Sequence, residues 1–304
     1  AEKMPNTKWF ADCGWGVFCH YLAKRPPGVD PENARETMTS DAWNARVDAM
    51  DVKGLADQLE TVGARYFFIT LTQGSGFFCA PCETYDRITG IQPGKCSRRD
   101  LISDLHAELE PRGIKLLVYS ASEFSFMDAE ARKGLKLHYH HNDLDGDGKK
   151  LGYRIWREHR QVEFMRNVEA VLSEFSARWG RKVSGWWIDG CYEAEHRFPE
   201  GDPPNFKTLA AALRTGNPDA IIAFNTGVKV PVIRNTIHED YTAGEISRAL
   251  PVCPGPALDL NGHSAQYHLL TYLGRNWGFG EPRFPDDLVA GYTQHVLENG
   301  GVMT

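Results

Sequence analysis

Strand-length apolar runs alternate with amphipathic segments of helix length along most of this chain. Residues 51–62 and 97–110, for example, repeat apolar side chains at helical spacing. Such alternation is typical of βα units around a parallel sheet. The strands that we predict from it cover residues 16–20, 65–71, 114–120, 183–189 and 220–224, with weaker candidates at 236–241 and 267–272.

About eight strands of this kind predict an α/β fold of the (β/α)8-like TIM-barrel type, irregular or incompletely closed toward the C-terminus. An open doubly wound sheet is the alternative, but no Gly-rich phosphate turn follows the first predicted strand. Neither a linker nor an internal repeat divides the 304 residues. We therefore predict a single catalytic domain over residues 1–304.

Composition disfavours several classes of partner and enzyme. The 34 Lys and Arg against 40 Asp and Glu give a formal charge of -6, which disfavours duplex nucleic acid as a partner. No run approaches the roughly 18 to 20 consecutive apolar residues that span a bilayer, so we expect no membrane partner. The motifs of serine hydrolases, P-loop NTPases and HExxH metalloproteases are absent from the sequence.

Asp189 gives the clearest chemical signal, because it ends an aromatic-rich strand and precedes a glycine that lets the chain turn. Catalytic groups of a parallel barrel lie at the carboxyl ends of its strands. A sugar-handling site needs a carboxylate to meet an oxocarbenium-like centre and ring faces for stacking. The alternative is a helix-capping or salt-bridged acid. His20, at the end of the first predicted strand, could be a hydroxyl ligand or a core histidine.

An acidic turn follows the third predicted strand. Asp143, Asp145 and Asp147, with Gly148 next, match the first half of a calcium loop, where alternate carboxylates face one hard cation. Arg154 stands where the bidentate glutamate of that loop belongs. A structural calcium site and a solvated acidic turn both remain open.

Several motifs, taken in order, resemble those of the α-L-fucosidase family of retaining glycoside hydrolases. The segment at 9–21 is similar to that family's WF-x-D-x-x-FG-x-F-x-HW opening, and 187–190 matches its W-x-D-G motif. Residues 239–245 are similar to GDYxTPE, and 55–66 and 300–301 also match. The resemblance implies a (β/α)8-like barrel and a two-step retaining mechanism. In that family a β-sandwich domain often follows the barrel, and we expect the 304 residues to comprise the barrel without that domain.

The resemblance carries roles to particular residues. Asp189 matches the family's nucleophile, His20 its sugar-binding histidine, and Trp277 with Phe279 its aromatic loop. Gln73 stands where fucosidases usually carry a His-His pair, and Tyr267-His268 where many carry a Trp-Glu acid/base. The substrate-binding residues that we predict are His20, Tyr21, Gln73, Tyr119, Trp187, His268 and Trp277.

The general acid must then come from another strand-end loop. We rank Glu245 first and Glu123 second, and Glu239 and Glu193 are further candidates. The group must be kept protonated near neutral pH by burial or by a neighbouring negative charge. His268 could also donate a proton, although that would be unusual for a retaining enzyme.

We therefore expect a glycosidase that cleaves a fucose-like or modified sugar from an oligosaccharide or glycoconjugate. No cofactor is required, and a structural calcium in the acidic turn stays open. The analogy favours a periplasmic or secreted protein. The alternatives are a non-catalytic carbohydrate-binding relative and a barrel enzyme with unrelated chemistry, such as metal-assisted hydrolysis.

Overall fold

A computed structural model describes residues 6–23, 38–277 and 280–304. Its central feature is a parallel sheet of five strands in the order β1-β2-β3-β4-β5. The α/β fold is thereby confirmed, and each of these strands lies within two residues of its predicted bounds. They are β1 (Val17–Cys19), β2 (Tyr66–Thr72), β3 (Lys115–Ala121), β4 (Gly185–Asp189) and β5 (Ile221–Phe224).

Helices occupy the connections between these strands, as the hydrophobic periodicity predicts. The helices up to the fourth strand are α1 (Lys8–Cys13), α2 (Ser40–Asp48), α3 (Val52–Thr61), α4 (Glu83–Thr89), α5 (Leu101–Leu109), α6 (Ala129–Leu135), α7 (Arg154–Glu158) and α8 (Val162–Trp179). Those that follow are α9 (Ala194–Arg197), α10 (Phe206–Leu213) and α11 (Asp286–Glu298). Short 3-10 turns extend α5 and α8.

The long helix that the hydrophobic pattern predicts near 153–179 is two helices. Gln161 lies between α7 and α8 with a φ of 56°, a left-handed conformation that interrupts a helix. Its side-chain oxygen accepts the backbone N–H groups of His138 and Tyr139, and its amide donates to the Tyr139 carbonyl. The helix breaks at the residue whose side chain holds the preceding loop.

Alternate residues of the strands face two different cores, as the period of a strand requires. Phe67, Ile69 and Val118 pack outward against the helices. Phe68 and Tyr119 face an inner cluster, into which α1 inserts Phe10. The side chains at the carboxyl end of the inner face therefore converge, and Asp189 follows this inward alternation two residues after Trp187.

The path from β5 back to β1 is less regular. It comprises β6 (Ala257–Leu260) paired with β7 (His263–Gln266), and β8 (His268–Leu269) paired with β9 (Val302–Met303). Isolated parallel bridges join Tyr241 to Gln266, Glu245 to Leu270 and Trp15 to Met303.

The strand predicted at 236–241 is wrong over its first part, where a turn wraps the buried Glu239 carboxylate. The regular ladder has five strands, and the closed eightfold barrel stays a prediction. Within the described ranges, no helix has the length and apolar character needed to cross a bilayer.

Candidate active site

Asp189, the last residue of β4, is held by three hydrogen-bond donors. The Tyr119 hydroxyl donates to Oδ2 at 2.6 Å, while the Asn225 amide and the Gly190 backbone N–H each donate to Oδ1 at 2.8 Å. Tyr119 comes from β3, and Asn225 directly follows β5. Three adjacent strands thus orient one carboxylate, as expected at the carboxyl edge of a parallel sheet.

Asn225 also connects Asp189 to Glu245. The same amide nitrogen, Nδ2, donates to Oε2 of Glu245 at 2.6 Å. Its backbone is fixed between strands, because its N–H donates to the Ile188 carbonyl at 2.7 Å and its carbonyl accepts the Cys191 N–H at 2.8 Å. Glu245 is anchored by its parallel bridge to Leu270. Asp189 and Glu245 are both partly exposed residues.

Asp189 and Glu245 differ in the number of hydrogen bonds that oppose the effect of burial on the carboxyl pKa. Burial, followed by the negative charge of Asp189, raises the pKa of Glu245 to about 7, against one opposing hydrogen bond from Asn225. Burial also raises the pKa of Asp189, but the bonds from Tyr119, Asn225 and Gly190 counteract the rise. Donors of this kind favour the ionised carboxylate. The pair therefore favours one proton, on Glu245.

Four of the predicted substrate-binding residues lie in one contiguous group beside Asp189. The Gln73 amide donates to the Tyr119 hydroxyl at 3.1 Å, which in turn donates to Asp189. The His20 ring stands edge-on to Tyr119 at 5.1 Å, and its Nδ1 lies 2.9 Å from the Thr70 hydroxyl. Burial lowers the pKa of His20 to about 4, so the ring is neutral at physiological pH.

Trp187, the fourth of these residues, supports Tyr119 from below rather than offering a free face. Its ring stacks on Tyr119 at 5.5 Å, its indole N–H donates to the Ala243 carbonyl at 3.0 Å, and it is 3% exposed. Tryptophan in a core needs such an acceptor for its N–H. Trp187 therefore positions the site and does not itself stack on a ligand in this conformation.

Two predicted ligands, Tyr21 and His268, lie apart from this group, whereas Trp277 lines the same cavity as His20 and packs against the cluster that holds Tyr119 and Trp187. The Tyr21 hydroxyl donates to the Arg46 carbonyl at 2.9 Å, and its ring packs on Trp43. His268 is fully buried, with one ring nitrogen 2.8 Å from the Thr242 carbonyl and the other 2.7 Å from the Thr304 hydroxyl. Trp277 packs against Tyr272, and its predicted partner Phe279 lies outside the described residues. A direct sugar contact of Tyr21 or His268 has no geometric support here.

Glu123, the second candidate acid, forms a buried ion pair instead. Arg197 donates to its Oε1 at 2.6 Å and to the Gly190 carbonyl at 2.7 Å. Burial alone would raise the pKa of Glu123, but the Arg197 charge and the neighbouring His140 outweigh it and lower the pKa. A carboxylate that stays ionised cannot act as a general acid, so this assignment is corrected.

The other two glutamates are also engaged. Glu239 is 1% exposed and accepts the N–H groups of Asn235, Thr236 and Phe224, and burial raises its pKa to about 7. Arg157 pairs with both oxygens of Glu193 and lowers the pKa of that carboxyl. Glu245 is therefore the candidate that combines partial exposure, a raised pKa and a bond to the partner of Asp189.

Two of the three predicted calcium ligands, Asp143 and Asp145, accept hydrogen bonds from the protein itself. Arg132 donates to both oxygens of Asp143 at 2.7 and 2.6 Å. Asp145 accepts the backbone N–H groups of Asp147 and Lys149, as in a tight polar turn. Within the described ranges, the oxygens of these three aspartates do not converge on one point as metal ligands would. This arrangement favours the acidic turn, and the calcium site stays a prediction.

A second cluster brings ligand atoms of Glu123, His140 and His141 within 4.8 Å of one another. The donor set suits a transition metal in type. However, the Nδ1 of His140 accepts the Asn142 N–H at 3.3 Å, which places the ring proton of neutral His140 on the nitrogen that faces Glu123. That nitrogen lies 3.8 Å from Oε2 of Glu123, beyond hydrogen-bond distance, and neither it nor Nδ1 of His141 has a hydrogen-bond partner among the described residues. The cluster is therefore a candidate metal site as well as a packed wall.

Sequence reasoning missed Asn225, Arg197 and the tyrosines 153 and 192. Asn225 had an available signal, since it is the first polar residue after a predicted strand and such residues face the site. Arg197 had none, because its partner Glu123 lies 74 positions away in sequence.

No protein-family model and no curated protein matches this sequence. The structure is similar to solved glycoside hydrolases. An endo-fucoidan hydrolase from glycoside hydrolase family 107 matches with a TM-score of 0.68 and 15% identity, over 99% of this chain and 87% of that one. A GH29 α-L-fucosidase from Bacteroides thetaiotaomicron matches with a TM-score of 0.59 and 16% identity, over 99% of this chain and 68% of that one.

A second family 107 endo-fucoidan hydrolase matches with a TM-score of 0.65 and 15% identity over the whole of this chain, which spans 50% of that enzyme's length. At such identities the likeness concerns the fold. The resemblance to α-L-fucosidases that the motifs indicate is thereby confirmed at the level of the fold, which this chain shares with glycoside hydrolases of families 29 and 107.

Proposed function

We propose that this protein is a retaining glycosidase in which Asp189 is the nucleophile and Glu245 the general acid and base. The observation that carries the proposal is the Asn225 amide, whose single nitrogen donates to both carboxylates. It pairs one oriented, hydrogen-bonded carboxylate with one whose pKa burial and the Asp189 charge raise to about 7. Two carboxyl groups with opposed protonation are what glycoside hydrolysis requires.

The spacing of the pair supports retention of configuration. The two acceptor oxygens lie 2.8 and 2.6 Å from the same nitrogen. These two oxygens are therefore less than about 5.5 Å apart, an upper bound that fits the roughly 5 to 5.5 Å of retaining pairs better than the roughly 6.5 to 9.5 Å of inverting ones. A water molecule would have little room between the Asp189 oxygen and a sugar bound there, so direct attack by the carboxylate is favoured.

The first step forms a bond between Asp189 and the anomeric carbon while the bond to the leaving oxygen breaks. Glu245 gives its proton to that oxygen. In the glycosyl-enzyme ester Asp189 no longer carries a negative charge, so one cause of the raised Glu245 pKa is removed. Glu245 is then ready to take a proton from the incoming water, which attacks the same carbon and releases Asp189.

A fucose-like sugar is the substrate that best fits the comparisons and the motifs. The solved neighbours are described as α-L-fucosidase and endo-fucoidan hydrolases. In this chain the neutral His20 and the Gln73 amide line the position beside Asp189 with hydrogen-bonding groups suited to sugar hydroxyls. The reaction needs no cofactor. An oligosaccharide or glycoconjugate substrate of this kind fits a periplasmic or secreted enzyme.

The catalytic scaffold that we propose is an eight-position barrel. Backbone hydrogen bonds join Gly16 to Met303 at 3.0 Å and Met303 to Gly14 at 2.9 Å, so β9 contacts the segment that precedes β1. Residues 240–246 supply the position between β5 and β8, through bonds from Asp240 to Ile222 and from Leu270 to Gly244. This arrangement would close the ring while leaving its second half short and irregular.

Covalent trapping tests the nucleophile directly. The native protein is incubated with 2-fluoro-fucosyl fluoride, and the labelled peptide is identified by mass spectrometry. We expect one adduct on Asp189, and we expect Asp189→Asn to lose both labelling and hydrolysis of aryl α-L-fucosides and fucoidan oligosaccharides. Asp202→Asn, in an exposed ion pair with Arg160, is the matched control and should behave like the native protein.

Product analysis distinguishes the proposal from its alternative. Proton NMR of the first-formed sugar should show the α-anomer, as double displacement requires. Equal hydrolysis by the native protein and Asp189→Asn would contradict the nucleophile assignment. Sugar binding without turnover across the panel would instead identify a non-catalytic carbohydrate-binding relative.

A further inference from the structure

Two tyrosines, one exposed and one half-buried, form a pair at the edge of the candidate site. Tyr192 follows β4, three residues after Asp189, and Tyr153 comes from the loop before α7. Their ring centroids are 4.6 Å apart with planes inclined by 40°, and Tyr153 is 45% exposed. Burial raises the pKa of both phenols, and the charges of Glu123, Asp189 and Glu245 raise them further.

The pair is fixed from behind and from below. The His141 ring lies 4.7 Å from Tyr153 and edge-on to Tyr192 at 5.7 Å. Gly227, two residues after Asn225, passes beneath Tyr192, and a Cβ there would come within 3.2 Å of the Tyr192 ring. Its φ of 96° is also one that other residues rarely adopt. Asn225, which bridges the two carboxylates, and Gly227, which packs against Tyr192, thus belong to one turn.

The loop that supplies His141 is itself anchored. A bidentate ion pair between Arg132 and Asp143 holds the turn that follows His141. The His140 ring stacks on Phe126 at 4.0 Å. An aromatic surface held this way loses little conformational freedom when a ligand binds, and such pre-organisation favours affinity. The position therefore has the properties of a binding surface as well as those of a packed core.

We propose that Tyr153 and Tyr192 form a platform on which a second sugar of the substrate stacks. Pyranose rings present C–H faces that pack on aromatic faces, while phenol hydroxyls can bond the hydroxyl groups at their edges. The inference rests on the proposed function and names its substrate class. The substrate is a chain of at least two consecutive sugars, and not a glycoside with a small aglycone.

Calorimetry on the Asp189→Asn variant, which binds without turnover, tests the platform. The ligands are α-L-fucose and a size-fractionated tetrasaccharide from fucoidan. Tyr153→Ala in this background should weaken tetrasaccharide binding about tenfold and leave fucose binding unchanged. Tyr153→Phe, which keeps the ring, should retain most of the affinity. Tyr139→Ala is the matched control, because Tyr139 is a 38% exposed tyrosine of the same loop that stacks on His159 instead.

The possible results separate this inference from the proposed function. Tetrasaccharide affinity that is unchanged in both Tyr153→Ala and Tyr192→Ala overturns the platform, even if the native protein hydrolyses fucosides. Failure of the native site to bind the tetrasaccharide also overturns it. Conversely, binding that depends on Tyr153 in a protein without hydrolytic activity supports the platform and contradicts the glycosidase. Circular dichroism of each variant confirms that the fold is retained.

Discussion

Two pairs of ionisable side chains lie side by side at the end of β4, Asp189 with Glu245 and Glu123 with Arg197, and they differ in the charge of the partner. They differ in burial as well, because Glu123 is buried whereas Asp189 and Glu245 are partly exposed. Asp189 and Glu245 share the neutral amide of Asn225. Glu123 forms a hydrogen-bonded ion pair with the Arg197 guanidinium. Its Oε2 lies so close to Gly190 that a Cβ at that position would be only 2.8 Å from it. Burial raises the pKa in both places, but the outcome is a raised pKa for Glu245 and a lowered one for Glu123.

The difference teaches that burial by itself does not make a general acid. A buried carboxyl keeps its proton when its nearest charged neighbour is another carboxylate, and loses it when that neighbour is a guanidinium. Residues 123 and 245 both follow predicted or observed strand ends. The charge of the nearest side chain distinguishes Glu245, the catalytic candidate, from Glu123, the structural residue.

Replacing Glu245 with a residue that has no acidic proton is the strongest test of this difference between Glu245 and Glu123. Glu245→Gln keeps an oxygen that can accept the Asn225 bond but cannot donate or take a proton as a carboxyl does. We expect turnover of fucosyl oligosaccharides to fall by about 10²- to 10⁴-fold. The decline in native activity above about pH 7, which follows from the Glu245 pKa, should disappear from the residual activity.

Glu193→Gln serves as the control for that experiment, because Glu193 lies in the same rim but pairs with Arg157. Its activity should stay within about twofold of the native value, since a rim ion pair contributes little. If Glu193→Gln were as damaging as Glu245→Gln, the proton would have to come from elsewhere in the rim.

The neighbouring pair should show its role in stability. Arg197→Met leaves the Glu123 carboxylate buried without its cation, and the free energy of unfolding should fall by about 3 to 5 kcal/mol. Arg157→Met breaks an exposed pair with Glu193 and should cost less than about 1 kcal/mol. Urea denaturation monitored by fluorescence measures both. A loss below about 1 kcal/mol for Arg197→Met would mean that Glu123 finds another partner or water.

The two pairs also predict opposite dependences of stability on pH. Glu245 in the folded protein keeps its proton up to about pH 7, whereas the unfolded chain loses it near pH 4.5. The folded state binds more protons in that window, so this contribution to stability is lost as pH rises through 7. The lowered pKa of Glu123 acts in reverse, and its contribution is lost only on acidification.

Comparing variants isolates the Glu245 contribution from the other titrating groups. The native free energy of unfolding, measured in urea at pH 5 and pH 8, should decrease relative to Glu245→Gln by up to about 3 kcal/mol between the two values. An identical pH dependence in the two proteins would show that Glu245 does not hold its proton in the folded state.

The sequence predicted what depends on local pattern. Hydrophobic period located all five strands of the parallel sheet, and the position of Asp189 at a strand end identified the carboxylate that three strands then orient. The position of Glu245 in a predicted strand-end loop makes it a candidate acid. These predictions concern which residues reach the rim, which the alternation of strands and helices determines.

What the sequence could not provide is which rim residues meet. Glu123 and Arg197 are 74 positions apart, so nothing in either local segment indicates their ion pair. His268 and Tyr21 follow or lie within strand candidates as Asp189 does, yet one is enclosed by the core and the other faces α2. Such outcomes depend on contacts between distant segments, which a single sequence does not reveal.

The smallest expected effect on activity comes from removing hydrogen-bond donors that orient Asp189. Tyr119→Phe keeps the ring that stacks on Trp187 and removes only the hydroxyl that donates to Oδ2 of Asp189. A hydrogen bond to a charged group is worth about 1.5 to 3 kcal/mol, so we expect kcat/KM to fall by about tenfold to 150-fold with little change in thermal stability. Gln73→Leu, which acts on Asp189 only through the Tyr119 hydroxyl, should cost about threefold. A larger loss in Gln73→Leu than in Tyr119→Phe, with most of the change in KM, would mean that Gln73 binds the sugar directly. Gln73 would then be a second neutral amide of the site, in addition to Asn225.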